Sequence, residues 1–516
     1  MTTLLPNYLG GRWQTGTGAG SALHDPVSGQ ALVRVDATGL DLPAGFDFAR
    51  RQGSAALQSM TYGARAALLV QIAQTLQKHR DAYYEIATAN SGTVRNDSAV
   101  DIDGAIFTLG QYARWGAALG ETRALRDGDA VKLDKDGLFQ SQHLQVPRTG
   151  LALFINAFNF PAWGLWEKAA PALLSGMAVV VKPATATAWL TQRMVQDVVD
   201  AGILPPGALS VICGSAAGLL DNLQPFDVLS FTGSADTAAL IRSHPAIARQ
   251  SVRANIEADS LNSALLLPDA APGTPAFDLL VREVVREMSV KSGQKCTAIR
   301  RIFVPQAVYG AAADAIATKL AKISTGNPRN EAVRMGALVS REQYQSVQQG
   351  LQALSTVTQV LYDGRAQPLI DADPAISACH APVLLGARDA DGAQAVHDLE
   401  IFGPVATLLP YRDLAHAQAL AERGQGSLVA SLYGDDAQML ADSARALARS
   451  HGRVHVVTPA VAQVHTGHGN VMPMSLHGGP GRAGGGAELG GLRALDFYHQ
   501  RAAVQASPEV LQALGL

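Results

Sequence analysis

Cysteine occurs 3 times in the 516 residues, at Cys213, Cys296 and Cys379, and only one of these has neighbours suited to chemistry. In the stretch 290–301, VKSGQKCTAIRR, Cys296 stands behind a Gly-Gln-Lys turn and ahead of Arg300 and Arg301. A lone cysteine is usually a small buried hydrophobe, but cations such as Lys295 and the two arginines favour the nucleophilic thiolate. Gly293 lets the backbone come close to a ligand. Cys213, inside LSVICGS, and Cys379, inside AISACHAPV, lack such surroundings and read as core residues. A thiolate nucleophile needs a partner to move protons. Glu257 in NIEADS ends an apolar run, where burial is expected to raise its pKa into the range of a general base; the plainer reading is a cap or an ion-pair member. A tetrahedral intermediate also needs an oxyanion donor. Asn159 in NAFNFP follows another apolar run, with Pro161 fixing the turn beyond it.

These residues must be positioned by a large soluble framework. The chain is long enough for two or three domains. Apolar residues make up 47% of it and the net charge is -3, with no run of like charge, which argues against nucleic-acid or membrane-surface partners and for a small substrate. No stretch approaches the roughly eighteen apolar residues of a spanning helix, and MTTLLPNYLGGRW lacks the pattern of a secretory leader, so a cytoplasmic location is expected. Unpaired, widely spaced cysteines agree with a reducing compartment.

The stretch from GGRWQTG to HDPVSGQALVRV predicts an N-terminal β-hairpin, and helical patterns follow through IFTLGQYARWGAAL. From residue 149 strands and helices alternate: GLALFINAFNFP, WGLWEKAAPALLSG, MAVVVKPA, WLTQRMVQDVVDAG, ALSVICGS, DVLSFTGS and ADTAALIRSH. Alternation of this kind predicts a parallel, doubly wound sheet, with ligands at the carboxyl ends of its strands, here NAFNFP, KPATAT, CGSAAG and FTGSADT. SALLLPDA, AIRRIFVP and FGPVATLLPY predict a second α/β unit, and LHGGPGRAGGGAELGGLRAL a mobile or tightly turned segment.

Seven motifs in order, FNFP, VVVKPA, FTGS, IEADS, GQKC, EIFGPV and GGAELGG, resemble those of the aldehyde dehydrogenase superfamily over almost the whole chain. The resemblance implies that family's α/β fold. A Rossmann-like cofactor domain would occupy 1–125 and 149–257, and a catalytic domain 258–463. A small β oligomerisation element would occupy 126–148 and 489–507, with a Gly-rich segment, 464–488, returning to the active site. It implies that Cys296 attacks an aldehyde, that Asn159 and the Cys296 N–H hold the oxyanion, and that hydride leaves for a nicotinamide. Glu257 then activates water against the thioester, and Glu488 is a second proton-handling carboxylate. Lys182 would hold the adenosine ribose, Gly233 and Ser234 the pyrophosphate, and Glu400 and Phe402 the nicotinamide ribose.

The sequence departs from the family at Ala258-Asp259-Ser260, where two glycines commonly follow a leucine. Asp259 is a weaker candidate base than Glu257 and reads equally well as a turn residue. Three residues after Lys182, NAD-preferring members often carry a glutamate. Here Thr185, with Thr187 beyond it, favours NADP over NAD, unless both threonines merely cap the next helix. NSGTVRNDSAVDIDG and the 466–498 region resemble the branch that oxidises CoA-linked semialdehydes in aromatic-acid degradation. Some relatives carry a further hydratase domain, and a chain ending at Leu516 is expected to lack one. Glu167 either gates water and protons or forms a surface ion pair with Lys168. His465 and His468 lack a third metal ligand, so a metal-free site is expected. The resemblance implies a homodimer at least. A CoA-acylating enzyme, a free-aldehyde dehydrogenase and a non-redox hydrolase or binding protein are the alternatives; Glu257 argues against the first.

Overall fold

The computed structural model describes residues 2–215 and 217–514; Met1, Ala216, Gly515 and Leu516 lie outside it, and with them one position of CGSAAG and the chain end at Leu516. The first of two seven-stranded sheets runs in the order Arg253–Glu257, Val228–Thr232, Leu151–Ile155, Ala178–Lys182, Leu209–Val211, Asn7–Leu9, Arg12–Gln14. Its first five strands are parallel, and the last two are an antiparallel extension. Leu151–Phe154 and Ala178–Val181 are fully buried, as continuous apolar runs with helices on both faces should be. Strand order reverses between Leu151–Ile155 and Val228–Thr232, which opens a crevice where Asn156–Asn159 and Gly233–Ser234 emerge.

The expected single N-terminal hairpin divides in two. Asn7–Leu9 and Arg12–Gln14 join the first sheet, while Ser21–His24 and Ala31–Val35 pair separately. The second sheet orders Gln359–Asp363, Val383–Gly386, Val405–Tyr411, Arg301–Pro305, Ser263–Leu266, Ser427–Tyr433 and His451–Val457, antiparallel only at its first pair. A three-stranded antiparallel sheet joins Leu125–Lys132 and Gln140–Pro147 to His499–Ala506. The Gly-rich segment is tightly turned, with Leu476–Gly478 and Ala487–Leu489 forming a short hairpin. Among the described residues no helix is long and apolar enough to cross a membrane.

Cys296 sits on a turn that starts where helix Pro275–Ser289 stops. Lys291, Ser292 and Gly293 have φ of 54°, 54° and 68°, a left-handed run that costs the two non-glycines about 1–3 kcal/mol each and survives only where the surroundings dictate it. Those surroundings are polar and buried. The Lys291 N–H donates to Asp97 Oδ2 at 2.8 Å, and the Ser292 hydroxyl donates to the Gly336 carbonyl at 3.0 Å. Arg300 donates to the carbonyls of Gly403, Gly293 and Lys295 at 2.7, 2.9 and 3.2 Å. Asn262 donates to the carbonyls of Cys296 and Ala298 at 2.7 and 3.0 Å.

The cations expected to favour the thiolate therefore serve the scaffold. Lys295 donates to Glu287 at 2.8 Å, and Arg301 points into the second sheet, donating to the carbonyls of Leu261, Leu420 and Ala421. Gly293 is needed for a close approach, but to backbone rather than ligand: a Cβ there would lie 2.3 Å from the Gly403 carbonyl oxygen.

Gly293→Ala should accordingly destabilise the fold by about 2–4 kcal/mol, combining positive-φ strain with a clash against rigid backbone. Urea unfolding is the measurement: the midpoint should fall with the slope unchanged, and an unmoved midpoint would contradict the packing described.

Candidate active site

Two cavities reach Cys296. One, of about 520 Å³, is lined by Asn156, Lys182, Thr185, Gly233, Glu400 and Phe402 among others. The second, of about 220 Å³, is lined by Phe107, Phe160, Trp163, Val471 and Met472. A crevice of about 20 Å³ at the same sulfur brings in Asn159, Glu167, Lys168 and Glu257. Cys296, Glu257 and Asn159, far apart in sequence, thus converge. Cys213 and Cys379 are buried elsewhere.

The charge distribution differs from the sequence expectation. Burial pushes the Glu257 carboxyl up, but His477 and Lys168 pull it down harder, to about 2. His477 Nε2 lies 3.0 Å from Glu257 Oε2. The base is therefore ionised at rest. Cys296 shifts the opposite way: burial and the Glu257 carboxylate push its thiol well above the usual range. The resting pair is a thiol within 4.8 Å of a carboxylate oxygen, poised to lose its proton as sulfur attacks.

Glu167 is no surface residue. Helix Trp163–Leu174 is buried on every side, and Glu167 Oε1 accepts from Lys168 Nζ at 2.6 Å. Lys168 also meets Glu488 Oε2 at 3.1 Å, while Glu488 Oε1 accepts from Ser230 and Asn255 at 2.6 and 2.8 Å. Burial, with Glu488 and Glu257 nearby, raises Glu167 well above the carboxylate range despite Lys168. The helix begins at the turn carrying Asn159, and Asp101 caps it, accepting from the Trp163 N–H at 2.7 Å.

Within the larger cavity, Ser234 caps helix Ala235–Ser243, accepting from the Thr237 N–H at 3.3 Å. Asp259 Oδ1 accepts from the Ala235 N–H at 3.0 Å and faces Arg482 at 3.7 Å, so it belongs to this helix start rather than to the thiol. Neither threonine caps helix Ala188–Asp200: Thr187 donates to the Phe158 carbonyl at 2.9 Å, and Thr185 lines the cavity. Glu400 accepts from the Ser260 N–H at 3.0 Å and faces Arg300 at 3.6 Å; burial pushes it up to about 7. Asn156, Thr232 Oγ1 and Glu400 Oε1 are buried in this cavity wall without hydrogen-bond partners. Such orphaned groups fit a ligand rich in ribose hydroxyls and phosphates, as a nicotinamide dinucleotide is.

His465 and His468 do not come together on a metal. His465 contacts His455 and Arg282, and His468 contacts Ser431. The His, Cys and carboxylate atoms that do cluster, within 4.8 Å of one another, are those of Cys296, Glu257 and His477. His477, Lys168, Asp97 and Asp101 are the site residues that sequence reasoning did not single out. The i, i+4 spacing of the two aspartates on one helix was the available signal; nothing local to His477 foretold its partner, and Lys168 was expected only as a surface partner of Glu167, not as a buried bridge to Glu488.

Among solved structures, lactaldehyde dehydrogenase from Escherichia coli superposes with a TM-score of 0.85 at 20% identity, covering 98% of this chain and 99% of that one. An NADP dependent enzyme of E. coli gives 0.84 at 23%, covering 98% of each chain. A 3,4-dehydroadipyl-CoA semialdehyde dehydrogenase of Aromatoleum evansii is 56% identical over 478 residues, covering 92% of this chain and 93% of its own. Residues 13–504 match the family described as the aldehyde dehydrogenase family. With that match spanning all of the two-sheet framework that brings Cys296, Glu257 and Asn159 together except Asn7–Leu9 and Arg12 at one sheet edge, the chain belongs to the aldehyde dehydrogenase family.

Proposed function

We propose that the protein oxidises a CoA-linked semialdehyde, 3,4-dehydroadipyl-CoA semialdehyde or a close relative, to its carboxylic acid with NADP as oxidant. The observation that carries this reading is the 56% identity to the Aromatoleum enzyme over nearly the full chain. The shape of the site supports it. Among the described residues none lining the Phe107 cavity is charged, so the acyl chain suits it while the CoA phosphates stay outside.

The aldehyde enters from the Phe107 side, and Cys296 Sγ attacks its carbonyl carbon as the thiol proton passes to Glu257. Asn159 and the Cys296 N–H donate to the developing oxyanion. Lys182 and Thr185 would hold the adenosine ribose of the cofactor, Gly233 and Ser234 its pyrophosphate, and Glu400 and Phe402 its other ribose. The nicotinamide, when bound, supplies a hydride acceptor beside the sulfur. A thioester on Cys296 remains, and Glu257 takes a proton from the water that hydrolyses it. Glu167 and Glu488, bridged by Lys168, carry each proton away from the crevice, the thiol's before the water's, so that Glu257 is ionised again when hydrolysis begins. A CoA-acylating reaction would pass the thioester to free CoA, for which an ionised carboxylate beside the sulfur serves no purpose.

The NADP preference rests on Thr185, which puts a neutral hydroxyl beside Lys182 and leaves room for a 2′-phosphate. The homodimer rests on the three-stranded sheet, whose strand Leu125–Lys132 and following turn expose Val131, Leu133, Leu138 and Phe139. We read the three sheets as the cofactor, catalytic and oligomerisation parts of the chain.

A panel of CoA-linked and free aldehydes, assayed for reduced nicotinamide with NADP and NAD separately, tests the reading directly; it fails if no CoA-linked semialdehyde outperforms its free analogue. Cys296→Ala should abolish oxidation while leaving dinucleotide binding, followed by fluorescence, nearly intact. Glu257→Gln should lose both the first-turnover burst of reduced cofactor and steady turnover, since the thiol loses the acceptor of its proton; a full burst followed by a stall would confine Glu257 to the hydrolysis of the thioester. Thr185→Glu should move the kcat/KM ratio about ten- to a hundredfold toward NAD, roughly 1–3 kcal/mol of charge repulsion, and less at high salt. A wild type that already prefers NAD would remove the basis for that reading of Thr185.

A further inference from the structure

His477 has no part in the reaction as set out above, yet its imidazole makes the closest side-chain contact of ion-pair type to Glu257. It lies on strand Leu476–Gly478, opposite Glu488 in the short hairpin, and is buried at 3% exposure. Its ring packs edge-on against Trp163, 5.5 Å between centroids. Its Nε2 stands 3.0 Å from Glu257 Oε2, an ion-pair contact without the alignment of a straight hydrogen bond.

The two oxygens of Glu257 are thereby made unequal. Oε2 faces the imidazole, while Oε1 is buried without a hydrogen-bond partner among the described residues. The lysine nearby is committed elsewhere, since Lys168 contacts Glu167 at 2.6 Å and Glu488 at 3.1 Å. Among the described residues His477 is the only one within ion-pair distance of Glu257. The groups around the pair are Lys168 and Glu167 from helix Trp163–Leu174, Glu488 from the paired strand, and the Cys296 thiol. Three of the four are acids, so none but Lys168 offsets the burial of the Glu257 charge.

We propose that His477 is a positioning residue: it anchors one oxygen of Glu257 and leaves the other free to take protons at Cys296. This rests on Glu257 being the base. Without the imidazole, burial dominates and the carboxyl holds its proton to higher pH. A protonated carboxyl takes no proton from water, so the acid limb of turnover moves toward neutral.

The test uses two variants of the full chain that both lose the ring. His477→Gln places an amide nitrogen where Nε2 stands, and His477→Asn places it one bond short. The expected result is an acid limb shifted upward by about one to two pH units in the Asn variant, with a smaller upward shift in the Gln variant, whose neutral amide still reaches Oε2 but cannot form an ion pair. The second readout needs neither substrate nor cofactor. Infrared spectra of the unliganded protein at neutral pH should show a protonated-carboxyl carbonyl band in His477→Asn that is absent in the wild type and disappears when Glu257→Gln is added. Equal activity losses in both variants with unmoved pH profiles, or no such band, would overturn the proposal. If the wild type oxidised none of the aldehydes offered, the proposed substrate would fall and the infrared result would still decide the role of His477.

Discussion

The site depends on a guanidinium buried beneath its nucleophile. Arg300 has almost no solvent contact, and it is tolerated there because its donors meet the carbonyls of Gly293, Lys295 and Gly403 while Glu400 sits at 3.6 Å. One side chain thus joins the left-handed turn before Cys296 to the Glu400–Phe402 segment of the larger cavity. The helix Arg95–Leu119 ties the same turn to the opposite wall, with Asp97 on the Lys291 N–H and Asp101 at the start of helix Trp163–Leu174. Nucleophile, oxyanion donor and cavity wall are therefore set by common anchors rather than by separate loops.

Upon this frame, protonation follows from the local inventory of charge. Around the crevice, Glu167, Glu257 and Glu488 share one lysine, and a histidine stands beside only one of them. Chemically identical carboxyls are driven apart: Glu257 falls to about 2 while Glu167 rises well above the carboxylate range. An ionised acceptor next to the sulfur and a carboxyl of higher proton affinity behind it make a direction for proton flow.

Much of the architecture was legible because its signals are local. Continuous apolar runs such as LALFI and AVVVK, ended by short polar segments, foretold the parallel strands and where a ligand would meet them. Cys296, Glu257 and Asn159 stood out by residue type at strand ends and turns. What failed was inference from sequence neighbours to spatial neighbours. Lys295, Arg300 and Arg301 flank the cysteine in the chain but turn toward Glu287 and buried carbonyls, whereas the groups that set its proton equilibrium come from positions 257, 167 and 400. Glu167 was misplaced for a related reason: a mid-helix glutamate is usually solvated, and nothing in WGLWEKAAP announced that both faces of the helix would be covered.

Because Cys296 borders both the Phe107 cavity and the Lys182 cavity, with different residues lining each, the sulfur is a partition with a door on either side. Traffic through one door need not wait for the other. A long, polar acyl carrier can remain seated at its own mouth while the dinucleotide side exchanges, so the bulk of the aldehyde's handle places no demand on the space reserved for the oxidant.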